Sequence, residues 1–459
     1  MRVTLVNQFY KPDLSPTAQL SASLAEHLAS LGHQITVVAG RGGYVGDRAD
    51  ADDDTAGVTV RRVWTPRLGK KTVVHRLLDY AAFYAGAVLK LAVLRRQDVV
   101  VSLTTPPLIA LAGVVHKTLH PSSKLVLWNM DCYPEAAESV GAVKPGGAAA
   151  SAVRRINRLI FKRLDHLVVL DGAMGDLLAA YAPNNRPLPT TTIPNWERSS
   201  TFDTAAEERW EGIDALGIQD RFTVLYGGNM GTGHRFEEAL DAAQRLADRG
   251  VLFVFLGAGV RFDETRARAQ ERKLTNCEFS GYVDKRMLAG INRAADLALI
   301  TLRNEARGVM SPSKLHGNLA CGLPIAYVGP EGTNVDEAIQ RFGCGQRVPP
   351  GDSDALVAFI ERCIDDPGHH QSMRAKARRA FDEEYHDGVT LPRFTQLLET
   401  LTGSPRKTPA DRGDEHARAA GSDDPSPAEH AEPGSARYAA NPVVNPAANP
   451  AVNGGEPTA

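Results

Sequence analysis

The run Ser311-Pro312-Ser313-Lys314-Leu315-His316-Gly317 joins residue types suited to holding an anion. Ser311 is a good helix N-cap, Pro312 suits the first helical position, and Lys314 then falls in the first turn. A helix opened this way aims unpaired backbone N–H groups and an ammonium at one point, which is a phosphate site. The same residues would also serve as an ordinary helix start with a solvated lysine, so their surroundings must decide. Gly227-Gly228-Asn229 and Gly257-Ala258-Gly259 each follow a strand-like apolar run. Gly227, Gly228 and Gly257 would let backbone approach a ligand closely, or would simply make tight turns. In the first half of the chain Asp131 follows a strand-like run at 124–129. A carboxylate there can orient a hydroxyl or accept its proton, or it can cap the loop Asp131-Cys132-Tyr133-Pro134.

The elements that must position these groups alternate. Strands at 3–7, 35–39, 58–63, 98–103, 124–129 and 166–170 are interleaved with helices at 18–31, 73–94, 108–119 and 153–163. Strand signals restart at 222–226, 252–256, 277–280, 297–302 and 325–328, with helices at 355–364 and 370–381. This rhythm predicts an α/β protein of two doubly wound, Rossmann-like domains facing across a cleft. The expected boundaries are 1–198, 199–402 with its last helix packing back on the first domain, and a disordered tail at 403–459 rich in Pro, Ala, Asn and Ser. In such sheets ligands bind beyond the carboxyl ends of the strands, where the glycines and 311–314 fall.

A set of motifs carries a resemblance. They are Gln8-Phe9-Tyr10-Lys11-Pro12 with Gly32-His33; Trp128-Asn129-Met130-Asp131-Cys132-Tyr133-Pro134-Glu135; Ile193-Pro194-Asn195-Trp196; Leu225-Tyr226-Gly227-Gly228-Asn229-Met230-Gly231; and Pro312-Ser313-Lys314-Leu315 with Gly322-Leu323-Pro324. In their order and spacing, roughly residues 1–400 resemble glycosyltransferase family 4, of the GT-B fold, and most of all its bacterial exopolysaccharide and O-antigen members. The resemblance implies a retaining, metal-independent hexosyltransferase with no cofactor beyond a nucleotide-diphosphate sugar. The C-terminal domain would hold that donor, and the N-terminal domain a lipid-linked or oligosaccharide acceptor, in cell-surface polysaccharide synthesis. Lys314 and Asp131 would carry the chemistry, with Gly227, Gly228, Asn229, Gly257, Ser311, Pro312 and Ser313 around the donor. His234 and Arg235 are the nearest match to a basic pair that contacts phosphate, or an exposed helix start; Glu305 would be a sugar contact or a solvated loop carboxylate. Thr17, Ala18, Thr104 and Thr105 would face the acceptor or act as caps. The family's paired glutamates would fall at Val309 and Gly317, and neither position is acidic.

The composition is that of an ordinary soluble chain: of 459 residues 43% are hydrophobic and 23% charged, and the net charge of −2 gives no reason to expect nucleic acid binding. Five scattered cysteines without a CxxC pair indicate neither zinc nor a disulfide framework and fit a reducing cytoplasm. The apolar run 73–94 contains Asp79 and Lys90, which favours a buried or interfacial helix over a spanning one. With Arg154, Arg155, Arg158 and Lys162 it would dock the first domain on an anionic inner membrane face, or the arginines would be a solvated face. Two other functions fit the same fold: a nucleotide-sugar epimerase, and a non-catalytic transferase-like scaffold.

Overall fold

The computed structural model describes residues 1–41, 53–55, 57–66, 73–183, 187–198, 201–202, 210–218, 220–283 and 285–403. The expected tail lies outside the described residues, beyond Gly403, whose left-handed backbone (φ 65°) ends the last helix.

Two sheets organise the chain. The first contains β1 (Arg2–Val6), β2 (Gln34–Gly40), β3 (Asp53–Thr55), β4 (Val58–Val63), β5 (Val99–Ser102), β6 (Lys124–Trp128), β7 (His166–Val169) and β8 (Thr190–Thr192). Their order is β3-β4-β2-β1-β5-β6-β7-β8, parallel except for the antiparallel edge strand β3. The second contains β9 (Thr223–Gly227), β10 (Leu252–Leu256), β11 (Cys277–Ser280), β12 (Leu297–Thr301), β13 (Ile325–Val328) and β14 (Gly345–Val348), in the order β11-β10-β9-β12-β13-β14 and parallel throughout. Helices on both faces explain why the central strands read as unbroken apolar runs such as Val99-Val100-Val101 and Leu252-Phe253-Val254-Phe255. In each sheet the chain direction of winding reverses once, between β1 and β5 and between β9 and β12. At such a switch point the loops from adjacent strands part in opposite directions and open a crevice.

Several expected bounds shift. The first helix begins at Pro16, behind Ser15, and not at 18, because Pro at the first position is pre-set for helix. The arginine-rich helix begins at Ala148, five residues early, since Gly147 is extended and the alanines after it are good helix formers. Segment 58–63 pairs in parallel with β2 as well as turning from β3.

The chain crosses between lobes twice, and the two crossings touch. Glu197 N–H donates to Tyr385 O (3.1 Å) and Asp387 N–H to Glu197 O (3.1 Å). The last helix, Asp387–Thr402, then returns to the first lobe and seats Leu391, Phe394 and Leu398 in that lobe's core. There Trp128 stacks on Trp196 at 5.5 Å between centroids, and Phe394 leans on both at 4.7 and 5.9 Å. Phe394 is fully buried in this cluster. Phe394→Ala should therefore cost about 3–5 kcal/mol of stability, read as a lower urea midpoint for the first lobe; a midpoint unchanged from the wild type would show that the last helix adds nothing to that core.

Candidate active site

The second sheet's switch point holds Lys314. The loop after β9 passes on one side and the loop after β12 on the other, and the Lys314 ammonium lies over the Tyr226 ring at 4.8 Å and 3.4 Å from Asn229 O. Among the described residues it has no carboxylate partner. Its tip keeps some exposure, but protein surrounds it closely, and this desolvation pushes its pKa down to about 8. The site is therefore a cation held out of water and short of an anion. In the loop after β9, the N–H groups of Asn229, Gly231, Thr232 and Gly233 find no acceptor among the described residues.

The glycines serve this packing. Gly228 has φ 123°, and a Cβ there would lie 3.0 Å from Lys314 Cε. Gly257, at φ 139°, leaves room for the Gly228 carbonyl, which a Cβ would meet at 2.1 Å. Gly257 thus accommodates neighbouring backbone. Gly227 ends β9 and lies half open.

The expected helix opening also changes. The helix runs Lys314–Ala320, with Ser313 at its N-cap and no side-chain cap. Ser311 and Pro312 precede it: the Ser311 side chain lies beside Asp171 of the first lobe, and Pro312 O accepts from Asn334 Nδ2 at 3.2 Å. His234 is buried, with Nδ1 2.6 Å from Thr301 O, and burial together with the Lys314 charge pushes its pKa down to about 3. It is a neutral ring packed near the lysine and not a charged phosphate ligand. Arg235 is committed to the buried Glu238, with Nη2 2.6 Å from Oε1. Glu305 is exposed and paired loosely with Arg303 at 3.4 Å. At the two positions lacking glutamate, Val309 O accepts from Cys132 N–H at 3.2 Å, and a Cβ on Gly317 would meet the Phe202 ring at 3.3 Å.

In the first lobe Asp131 sits just beyond β6, at the carboxyl end of the sheet. The Met130 and Asp131 N–H groups donate to Thr104 Oγ1, both at 3.2 Å, so Thr104 fixes this loop from the neighbouring strand end. Desolvation raises the Asp131 pKa, which makes its ionised form a stronger base. The carboxylate lines a pocket with Leu103, Leu108, Asn129, Asn157 and Phe161. Leu108 in that wall has φ 67°, a strained backbone for a side-chain-bearing residue. Thr105 contributes its carbonyl, which accepts from Gln8 N–H at 2.8 Å. Thr17 is half-buried in the first helix, and Ala18 has no exposed surface, so it cannot touch an acceptor. The loops of Asp131 and Lys314 meet through Cys132, whose thiol donates to Gly308 O at 3.3 Å. Asp171, which spans the lobes at this edge, was not among the expected residues; its only sequence signal is an Asp-Gly pair directly after the strand run at 166–170.

Two doubly wound parallel-sheet lobes make up the GT-B architecture. Comparison with known proteins agrees. "Glycosyl transferase 4-like domain" matches residues 17–196 and "Glycosyl transferases group 1" matches 208–380. The chain belongs to these family 4-like, group 1 glycosyltransferases. It is 27% identical over 310 residues to the probable glycosyltransferase WbjE of Pseudomonas aeruginosa, covering 67% of this chain and 76% of that one. It is 24% identical over 405 residues to a candidate colanic acid biosynthesis glycosyl transferase, WcaI of Escherichia coli K12, covering 84% and 97%. In fold it is similar to sucrose-phosphate synthase from Thermosynechococcus elongatus (TM-score 0.68, 15% identity, 88% of this chain and 99% of that one). It is also similar in fold to Anabaena Alr3699/HepE in complex with UDP-glucose (0.59, 13%, 87% and 100%). The chain is a glycosyltransferase.

The lysine gives a pH test with a definite sign. Its folded pKa is below its unfolded value, so the unfolded chain holds more protons between about 8 and 10.5. The cost of the buried charge is then fully present below pH 8 and fades as pH rises toward 10.5. Lys314→Met should accordingly melt higher than the wild type at pH 7, with the gap closing by pH 10. Binding of pyrophosphate to the wild type should be level up to pH 8 and weaken above it. A variant that melts lower at pH 7 would mean that Lys314 is already compensated.

Proposed function

We propose that the chain transfers a hexose, with retention of configuration, from a nucleotide-diphosphate sugar to a lipid-linked or oligosaccharide acceptor. The observation that carries this reading is the desolvated Lys314 ammonium, without a carboxylate, beneath a glycine-rich loop of unpaired N–H groups. A diphosphate supplies the charge this site lacks, and charge grows on it as the bond to the sugar breaks. The bond from the anomeric carbon to the phosphate oxygen breaks while one to the acceptor oxygen forms on the same face. Asp131 orients the attacking hydroxyl and takes up its proton. Lysine and backbone donors do the work of a metal, so neither metal nor other cofactor is needed. The complexes of the HepE neighbour with UDP and with UDP-glucose support a nucleotide-sugar donor here.

Thermal-shift and calorimetric titration of the full chain with UDP, GDP, dTDP and their common sugars, without added metal, should single out one nucleotide series. Lys314→Ala should lower turnover at least tenfold with the fold intact, and Asp131→Asn should lower kcat more than it alters donor binding. Turnover of donor without acceptor would mark an epimerase. No binding to any nucleotide would leave the scaffold reading.

The acceptor reading extends to a position on the inner face of the cell membrane. Helix Val73–Val93 exposes Leu78, Leu89 and Val93, Leu119 is exposed at the end of helix Ala110–Leu119, and helix Ala148–Phe161 exposes Leu159. These helices pack side by side, and Lys117 Nζ ties the second to Arg163 O (3.0 Å) beyond the third. Arg155, Arg158 and Lys162 are exposed there and pair with no acid among the described residues; Arg154, by contrast, is spent on Glu135 and Glu138. Among the described residues no helix is long and apolar enough to cross a membrane. The chain should float with phosphatidylglycerol vesicles at low salt and not with phosphatidylcholine vesicles, and Arg155→Glu with Arg158→Glu should abolish flotation. Absence of flotation with either vesicle would refute membrane docking and leave the transferase reading standing.

A further inference from the structure

Asp171 ends the loop after β7 and is 1% exposed, yet its carboxylate works in both lobes. Within the first lobe it caps helix Gly172–Ala179, accepting from Met174 N–H at 2.8 Å. Its other oxygen accepts from Asn334 N–H of the second lobe at 3.2 Å. The Ser311 side chain lies beside the same carboxylate and favours its ionised form. Asn334 in turn holds Pro312 O, so both residues that Asp171 touches across the cleft fix the segment leading into Lys314.

The contact is wider than one carboxylate. Gly172 N–H donates to Glu337 Oε1 at 2.9 Å and Ala173 N–H to Gly332 O at 3.0 Å. Ala173 O approaches the Gly308 backbone so closely that a Cβ there would lie 2.5 Å from it, and Arg307 reaches Asp176 at 3.7 Å. Asp171 lies at the centre of this contact and is the group with most to lose if it opens. Burial raises its pKa, and the donors from Met174, Asn334 and Ser311, with the nearby Arg307 charge, work against that rise.

Resting on the donor reading above, we infer that Asp171 is a positioning residue for the donor site, holding Ser311 and the Asn334 amide so that the segment entering Lys314 is fixed when the lobes close. The anion site of the second lobe is then completed by a residue of the first. Donor binding and lobe closure are coupled, because a ligand that prefers the ordered segment also prefers the closed arrangement. Only a carboxylate suits the position: each of its two oxygens accepts from a backbone N–H, Met174 on one and Asn334 on the other, whereas an asparagine would turn an N–H toward one of them.

Asp171→Ser separates this role from simple capping. Serine is a good N-cap and keeps helix Gly172–Ala179, but it is too short to span the lobes. In the full chain, UDP binding is titrated by calorimetry, with GDP and dTDP alongside, for the wild type, Asp171→Ser, Ser311→Ala and the double variant. The expected result is a melting temperature within a few degrees of the wild type, affinity at least tenfold weaker in Asp171→Ser, and a double variant little worse than either single one. X-ray scattering should show a larger radius for ligand-free Asp171→Ser than for the wild type. Wild-type affinity in Asp171→Ser, or additive losses in the double variant, would make Asp171 a cap and no more. If the wild type itself binds none of the three nucleotides, the donor reading falls, and the inference falls with it in that arm alone.

Discussion

The constraint on which this structure turns is an ammonium held away from water without a counter-charge. Lys314 rests on the face of Tyr226 and a single distant carbonyl, and neither neutralises it. Burying an unpaired charge opposes folding, so the surroundings must be fixed by other interactions. They are: the Tyr226 hydroxyl is tied to Asn229 O at 2.7 Å, Gly228 N–H to Leu256 O and Met230 N–H to Ala258 O, both at 2.8 Å. Gly257 and Gly259 are required because these loops bring backbone against backbone with no space for a Cβ, and at Gly228 a Cβ would crowd the Lys314 side chain.

The lobes are joined by two contacts of different character. At the crossings, aromatic rings of Trp128, Trp196 and Phe394 are packed out of water, and the last helix is part of the first lobe's core. At the cleft edge the contact is polar: Asp171 accepts from Asn334 N–H, Gly172 and Ala173 N–H donate to Glu337 and Gly332, and the Cys132 N–H and thiol donate to Val309 O and Gly308 O. A hydrogen bond contributes about 1 kcal/mol net because water replaces it on opening, whereas a buried aromatic side chain is worth several times that. The first contact is therefore the fixed one and the second the one that can open.

Much of this was legible in the sequence, and for physical reasons. Alternating strand and helix signals follow from side-chain periodicity, which a doubly wound sheet preserves in order, and the glycine pair after 222–226 and the Lys314 motif mark the strand ends that a crevice requires. What was not legible depends on partners distant in the chain. Ser311 reads as an N-cap, but its side chain meets Asp171, 140 positions earlier by their numbers, and the helix begins later. Arg154 and Arg235 read as free cations and are spent on Glu138 and Glu238. Ala18 reads as cleft-facing and is core, because the helix starts earlier than the polar residues around it suggest.

The two positions without glutamate show the same dependence. At 309 the chain uses only its carbonyl, which receives Cys132 N–H from the other lobe, and the Val309 side chain is buried. At 317 the space beside the helix is taken by Phe202, whose ring belongs to the second lobe's core just after the first crossing. A glutamate at 317 would displace that ring, and one at 309 would put a charge against the polar lobe contact. Packing of the crossing and closure of the lobes have thus taken over both positions. On the donor reading proposed above, the charge of a bound anion would then rest on Lys314 and the loop amides, with the Asp171 contact holding the segment that leads into Lys314.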